Sequence, residues 1–120
     1  MALHTELPIY KKGVELVSLA FHVQTQMRRD FKRSLGEKIT GHCTEMVNLM
    51  ALANASRGHQ RSQHIRTLLE IQHATTVLLR VCHDARLISP KLWAKSVLML
   101  DGIGKQGGGW LKSSEKAPAV

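Results

Sequence analysis

Apolar residues recur every three or four positions in four separate stretches of this sequence, with short breaks between the stretches. Such spacing places them along one side of an α-helix, and a helix with one apolar side has to bury that side against another helix. Runs of β-branched residues bounded by turn residues are missing, whereas residues that favour helix dominate the composition. The pattern therefore predicts an all-α protein.

The four predicted helices span about residues 8–28, 34–54, 60–87 and 90–112. Because each has about 20 residues and the connections are short, consecutive helices are expected to lie antiparallel, in an up-down-up-down four-helix bundle. A three-helix core with the fourth helix docked elsewhere stays open. Residues 1–7 form an N-terminal segment, 8–112 form the bundle as a single domain, and the tail 113–120 is predicted to be disordered.

Several residues mark the predicted helix ends. Ser89 is the expected N-cap of the fourth helix, with Pro90 at its first position. Ser34 followed by Glu37 predicts a capping box at the start of the second helix. Gly58 is the best residue for a left-handed cap after the second helix.

One apolar stripe per helix is predicted to face the core. Helix 3 also has Ile71, Leu78 and Val81 off its stripe, so it is apolar over much of its circumference and is either central or has a second interface. Gly41 is expected to allow close helix packing. The glycines at 104 and 107–109 are expected to allow close backbone packing or to form a weakly helical end, with Trp110 and Leu111 as an apolar clamp. The stripes are Tyr10, Val14, Val17, Phe21 and Gln24 (widened by Ile9, Leu16 and Val23); Leu35, Ile39, Cys43, Met46, Leu49, Met50 and Ala53; Ile65, Leu68, Leu69, Thr76, Leu79, Cys82 and Leu87; and Trp93, Val97, Leu100 and Ile103.

The formal charge is +8 and the pI is about 10.0, which favours a polyanionic partner. Up-down topology brings the ends of helices 1 and 3 to the same pole as the starts of helices 2 and 4. A phosphate backbone is the expected ligand there, since few aromatic residues are available to stack on bases. A solvated surface that only aids solubility is the alternative. The basic residues of this pole are Arg28, Arg29, Lys32, Arg33, Lys38, Arg80, Arg86, Lys91 and Lys95.

The sequence gives no support for metal, cofactor or catalytic chemistry. The predicted levels of Cys43 and Cys82 in the bundle differ by about 13 Å, too far for one zinc ion. Glu70, His73 and Asp84 make no recognisable triad, and the glycine cluster does not fit a phosphate loop. No apolar run approaches the ~20 residues of a membrane span. Without an export signal, a cytoplasmic protein with free thiols is expected.

Four segments carry a resemblance to a known family. They read SLGEKI at 34–39, ANASR at 53–57, LLRVCHDARLIS at 78–89 and LDGIGKQGGGWLK at 100–112. In this order and spacing they resemble the accessory variability determinant (Avd) proteins of diversity-generating retroelements. Those proteins belong to a wider four-helix-bundle family that includes proteins encoded in intervening sequences of 23S ribosomal RNA genes. The resemblance covers about residues 10–112, and the closing LD-IG…WLK pattern is its most specific part.

The resemblance implies a function without catalysis. Avd proteins form a barrel-like homopentamer, associate with the reverse transcriptase of the retroelement and bind its template RNA, and so support mutagenic cDNA synthesis. Arg80 and Arg86 lie inside the matching segment 78–89 and are the favoured binding residues, whereas the cluster 28–33 is suggested by charge alone. The alternative is a structural bundle of the ribosomal intervening-sequence type with another RNA or protein partner.

Overall fold

The computed structural model describes residues 3–116. Within this range the chain forms a short 3-10 turn, His4–Glu6, and then four long helices: α1 (Pro8–Gln26), α2 (Glu37–Ala55), α3 (Gly58–Asp84) and α4 (Pro90–Lys116). α1 and α3 each pack against α2 and α4, so they occupy opposite corners of the bundle. The molecule is a rod of 50 × 21 × 21 Å. The predicted all-α, up-down-up-down four-helix bundle is confirmed.

The connection between α1 and α2 differs from the prediction. After an extended Met27 and Arg28, a helical turn (Arg29–Phe31) and a π-helical turn (Lys32–Gly36) run directly into α2. The capping box is therefore wrong, because the N–H of Glu37, which Ser34 would have capped, donates to the carbonyl of Lys32. The hydroxyl of Ser34 instead points at the carbonyl of Phe31, 3.5 Å away.

The other predicted helix ends agree better with the structure. Ser89 is the N-cap of α4, since its hydroxyl accepts a hydrogen bond of 3.1 Å from the N–H of Leu92. Gly58 has the expected left-handed backbone, with φ at 57°, but it opens α3 instead of closing α2. The last carbonyls of α2 are satisfied from α3, because the guanidinium of Arg61 donates to the carbonyls of Ala53 and Asn54.

The core follows the predicted stripes in α2 and, with small shifts, in α3 and α4. In α3, Thr75 is fully buried where Thr76 was predicted. In α4, Trp93 and Val97 are only half-buried, and the centre of the buried face runs through Leu92 and Ser96. The largest side chains with no or almost no exposure are Leu16, Val23, Ile39, Cys43, Met46, Met50, Ile65, Leu68, Thr75, Leu79, Leu100 and Ile103.

The predicted centre of the α1 stripe is wrong, although Ile9, Leu16 and Val23, which were expected to widen it, are buried. Val14 and Phe21 are 45% and 55% exposed, and the buried face is Ile9, Gly13, Leu16, Leu19, Ala20 and Val23. Packing against α2 selects this face, because a Cβ at position 13 would lie 2.9 Å from Sδ of Met50. Glycine at that position lets α1 approach α2 closely. Gly41, for which such a role was predicted, has no atom within 4 Å of its Cβ position.

The C-terminal part of α4 continues beyond the predicted boundary. Ser113–Lys116, assigned above to a disordered tail, are helical, and Glu115 forms an ion pair with Arg66 of α3. The remaining tail residues, 117–120, lie outside the described part of the chain. The predicted close packing is confirmed at Gly107, where a Cβ would lie 2.8 Å from Cδ2 of Leu69, and at Gly104, where it would lie 3.1 Å from Nε2 of Gln72. It is wrong at Gly108 and Gly109, which have no atom within 4 Å of their Cβ positions.

Candidate nucleic-acid and partner interface

Side-chain contacts hold the predicted ends together at one pole of the bundle. The hydroxyl of Thr40, near the start of α2, donates to the side-chain carbonyl of Gln24 near the end of α1, at 3.1 Å. The His83 ring at the end of α3 stacks on Trp93 at the start of α4, with ring centroids 5.5 Å apart. These contacts place the basic residues of four chain segments around a common end, which we call the basic pole.

All nine basic residues predicted for the site have exposed side chains. Within residues 3–116, only Arg80 among them has an ion pair, at 3.8 Å from the carboxylate of Asp84, with both side chains more than 60% exposed. An exposed pair of this kind contributes little to stability. Most of the positive charge of the basic pole is therefore not neutralised by ion pairs within the described residues and can attract an anionic partner. Its residues are Arg28, Arg29, Lys32, Arg33, Lys38, Arg80, Arg86, Lys91 and Lys95.

The connection before α2 contributes four of these residues. The guanidinium carbon of Arg28 lies 5.3 Å from the centroid of the Phe31 ring, a cation–π geometry. Gly36 allows the π-helical turn to sit against the end of α1, since a Cβ there would lie 2.8 Å from Cγ of Gln24. The exposed arginines are thus presented by a segment with a defined backbone.

Arg86 is presented by the tight turn between α3 and α4. Its φ of 60° is left-handed, the only such value for a non-glycine residue in the described chain. The N–H groups of Arg86 and Leu87 donate to the carbonyls of His83 and Cys82, the hydrogen bonds of a Schellman motif. Arg86 also borders an open cleft of about 540 Å³ beside Asp84 and Pro90.

Lys91 and Lys95 lie on α4, one helical turn apart, and line an open cleft between α4 and α1. His22 and Gln26 form the α1 side of this cleft, and Leu92 lies at its base. Neither the cleft nor its apolar base was predicted from the sequence. Both depend on the distance between α1 and α4 and on which side chains fill the space between them.

Two apolar surfaces extend from the core to the outside of the bundle; in the first, Tyr10 and Val17 pack partly against the core and Val14 and Phe21 are exposed. On α1, Tyr10, Val14, Val17 and Phe21 follow a heptad-like spacing and are half-buried or exposed. On α3, Val77 and Val81 are 50% and 48% exposed. We call these surfaces the α1 stripe and the α3 patch. Of the three residues expected off the main stripe of helix 3, Val81 belongs to this patch, whereas Ile71 and Leu78 pack partly against the core. Val77 was not predicted.

The chemistry of the interior is that of a packed core. Burial raises the pKa of the Cys43 thiol from 9.0 to about 12, and burial also raises the pKa of Cys82. Both cysteines are free and protonated at neutral pH. Glu70, His73 and Asp84 all lie on the surface. Among residues 3–116, no three His, Cys, Asp or Glu side chains are grouped so that they could hold a metal ion.

Comparisons of this chain with protein-family models, with curated proteins and with solved structures found no match. Its function therefore has to be inferred from its own sequence and surface. None of the helices in the described range combines the length and the apolarity that crossing a bilayer requires.

Proposed function

We propose that this protein is a non-enzymatic accessory of a diversity-generating retroelement, which binds the template RNA and the reverse transcriptase in the cytoplasm and supports mutagenic cDNA synthesis. The observation that supports this proposal most is the basic pole: nine exposed lysines and arginines with a single ion pair among the described residues. The order of the four family-like segments supplies the identity of the partners.

RNA is expected to bind through its phosphates. Arginine forms bidentate hydrogen bonds with phosphate, and each phosphate that is neutralised releases condensed counterions. If the arginines and lysines of the pole make about six such contacts, the logarithm of the binding constant should fall with the logarithm of salt concentration with a slope of about −4 to −5. Structured RNA of varied sequence should then bind with similar affinity.

The α1 stripe and the α3 patch support self-assembly. They lie on opposite corners of the bundle and differ in sequence, so a contact between the stripe of one copy and the patch of the next is heterologous. Heterologous contacts close into rings when the rotation between copies divides the circle. A homopentamer, which the family resemblance implies, is a ring of this kind.

The experiment that tests the RNA-binding role uses two variants of equal net charge. One carries Arg28→Glu, Arg29→Glu, Lys32→Glu and Arg33→Glu at the basic pole. The other carries Lys11→Glu, Lys12→Glu, Lys105→Glu and Lys112→Glu, four exposed residues away from that pole. RNA affinity and its salt dependence are measured by fluorescence anisotropy, and helicity by circular dichroism.

The first variant should lose most of its RNA affinity and have a slope closer to zero by about three or four units, with unchanged helicity. The second should lose much less, because only the long-range attraction changes. Equal losses in both variants would show that net charge, and not the pole, governs binding. Failure of the unaltered protein to bind either structured RNA or the reverse transcriptase at low salt would refute the proposal.

A further inference from the structure

A groove runs along the junction of α1 and α4, and the binding of RNA phosphates at the basic pole does not require such a groove. Two adjoining clefts of about 500 and 230 Å³ share Leu19, His22 and Lys95. Together they extend from Glu15 to Gln26 on α1 and from Ser89 to Met99 on α4. At 1.5 Å per residue the groove is about 15 Å long, the length of a helix of about ten residues.

The floor of the groove is apolar and contains no Phe, Tyr or Trp side chain, and the one aromatic ring that lines the two clefts is the exposed imidazole of His22. Leu19 and Leu92 are buried below it, and Met99 is half-buried along it. Leu98 directly precedes Met99 in the sequence and is 74% exposed. This is the largest exposed fraction of any large apolar side chain in the described chain. Flexible methionine and leucine side chains adapt to aliphatic partners. Leu98 lines neither cleft, but it lies one turn after Lys95 on the outer surface of α4 and so provides apolar surface beyond the lysine rim.

The rim of the groove is positive at the end near the basic pole. Lys91 and Lys95 are four residues apart, a spacing at which like charges on a helix repel each other. The first turn of α4 contains no acidic residue, although an acid there would be favoured by the helix dipole. Glu15, the only acidic residue that lines the two clefts, lies at the opposite end. This end of the groove is complementary to an anionic partner.

We propose that this groove binds an amphipathic α-helix from a protein partner, with apolar side chains over Leu19, Met99 and Leu98 and acidic side chains over Lys91 and Lys95. An aliphatic floor with a charged rim is the usual binding surface for a single helix. Unpaired nucleotides are the less suitable occupant, because single-stranded nucleic acid binds to aromatic platforms. The inference rests on the proposed function only for the existence of a protein partner, and it assigns that partner a surface separate from the Arg28–Arg33 segment.

The test uses the full chain with labelled leucine and methionine methyl groups. The probe is a synthetic peptide of about 14 residues, with leucines at helical spacing and glutamates on both flanks. A peptide of the same composition in scrambled order and one with lysine for glutamate are the controls. Saturable shifts of the Leu19, Leu92, Leu98 and Met99 methyls are expected with the first peptide, with at least tenfold weaker binding of either control.

Two double variants identify the rim. Lys91→Glu with Lys95→Glu should weaken the acidic peptide about tenfold and favour the lysine peptide, which reverses the preference. Lys105→Glu with Lys112→Glu makes the same charge change farther along α4 and should preserve the original preference. Leu98→Ser should weaken both peptides without changing which one binds more tightly.

The inference is overturned if the scrambled peptide binds equally well, if the Lys91 and Lys95 variant keeps the original preference, or if single-stranded RNA shifts the same methyls and excludes the peptide. RNA affinity is measured on the same samples. Peptide binding without any RNA binding would refute the proposed function and leave the groove assignment standing. RNA binding without peptide binding would overturn the groove assignment and leave the proposed function standing.

Discussion

The backbone N–H of Leu87 donates to the carbonyl of Cys82 at 2.8 Å, and this bond closes the end of α3 around Arg86. Leu87 and Cys82 are both buried in the apolar core, and they occupy the two positions between which a Schellman motif usually has an apolar contact. The residue directly before Leu87 must adopt a left-handed backbone in this motif, and helices usually have glycine at that position. In this chain the position is occupied by Arg86, a member of the basic pole, at φ 60°.

Arg86→Gly should therefore stabilise the fold while it weakens RNA binding. Relief of the left-handed strain outweighs the greater freedom of glycine in the unfolded chain, for a net gain of about 0.5–1 kcal/mol. Urea unfolding measures the stability, and anisotropy measures RNA affinity. Arg86→Ala is the control, since it removes the same charge but keeps the strain. Equal stability of the two variants would contradict this account of the turn.

Gly41 and Gly13 should respond in opposite ways to alanine. Gly41 is an exposed residue inside α2 with no atom near its Cβ position, so Gly41→Ala should gain about 0.5–1 kcal/mol through helix propensity. At position 13 the new methyl would meet the side chains of Met50 and Val47 at 2.9–3.1 Å. Overpacking costs about 1–3 kcal/mol and should cancel or exceed the same gain. Thermal unfolding of both variants checks this. A stabilised Gly13→Ala protein would show that α1 and α2 are not packed so closely.

Phe21→Glu should change assembly without unfolding the chain. The side chain is 55% exposed in the single bundle, so a carboxylate there stays solvated in the monomer but is desolvated in a contact between copies. Light scattering should show a shift towards the 13.4 kDa of one chain, with unchanged circular dichroism. Leu52→Glu, at another exposed apolar residue outside the α1 stripe and the α3 patch, is the control. Equal masses for the unaltered protein and the Phe21 variant would remove the stripe as an interface.

The contrast between α2 and α1 explains how much of the fold the sequence could predict. α2 has one apolar side, and its buried residues, from Ile39 to Ala53, were predicted almost without error. α1 has two apolar sides with the same helical spacing. Periodicity alone cannot choose between them, and the choice depends on Gly13 meeting Met50, a contact between residues distant in sequence. Local signals fail for a similar reason at Ser34, because the preceding basic segment is itself helical and leaves no N–H group there to cap.

The candidate site was predictable only in part. Helix order fixes which chain ends meet, so the basic pole follows from topology and charge. The left-handed backbone of Arg86 was not expected, because arginine carries no preference for it. The α1–α4 groove depends on how closely two helices approach and on which side chains lie between them. The spacing of apolar residues within one helix does not determine either.

Cys43 should contribute to destabilisation at alkaline pH. Cys82, whose pKa burial also raises, contributes in the same direction and is present in both of the proteins compared below. Its thiol has a pKa of about 12 in the fold against 9.0 ordinarily, so between these values the folded chain retains a proton that the unfolded chain releases. The stabilising contribution is complete below about pH 9 and is lost as the pH rises towards 12, at about 1.4 kcal/mol per pH unit. Unfolding free energies of the unaltered protein and of Cys43→Ala, compared in urea from about pH 8 to about pH 10.5, should differ by a constant amount below about pH 9. Above that pH the unaltered protein should lose stability faster, because alanine has no proton to release. A difference independent of pH over the whole range would mean that Cys43 ionises in the folded state as readily as in the unfolded chain.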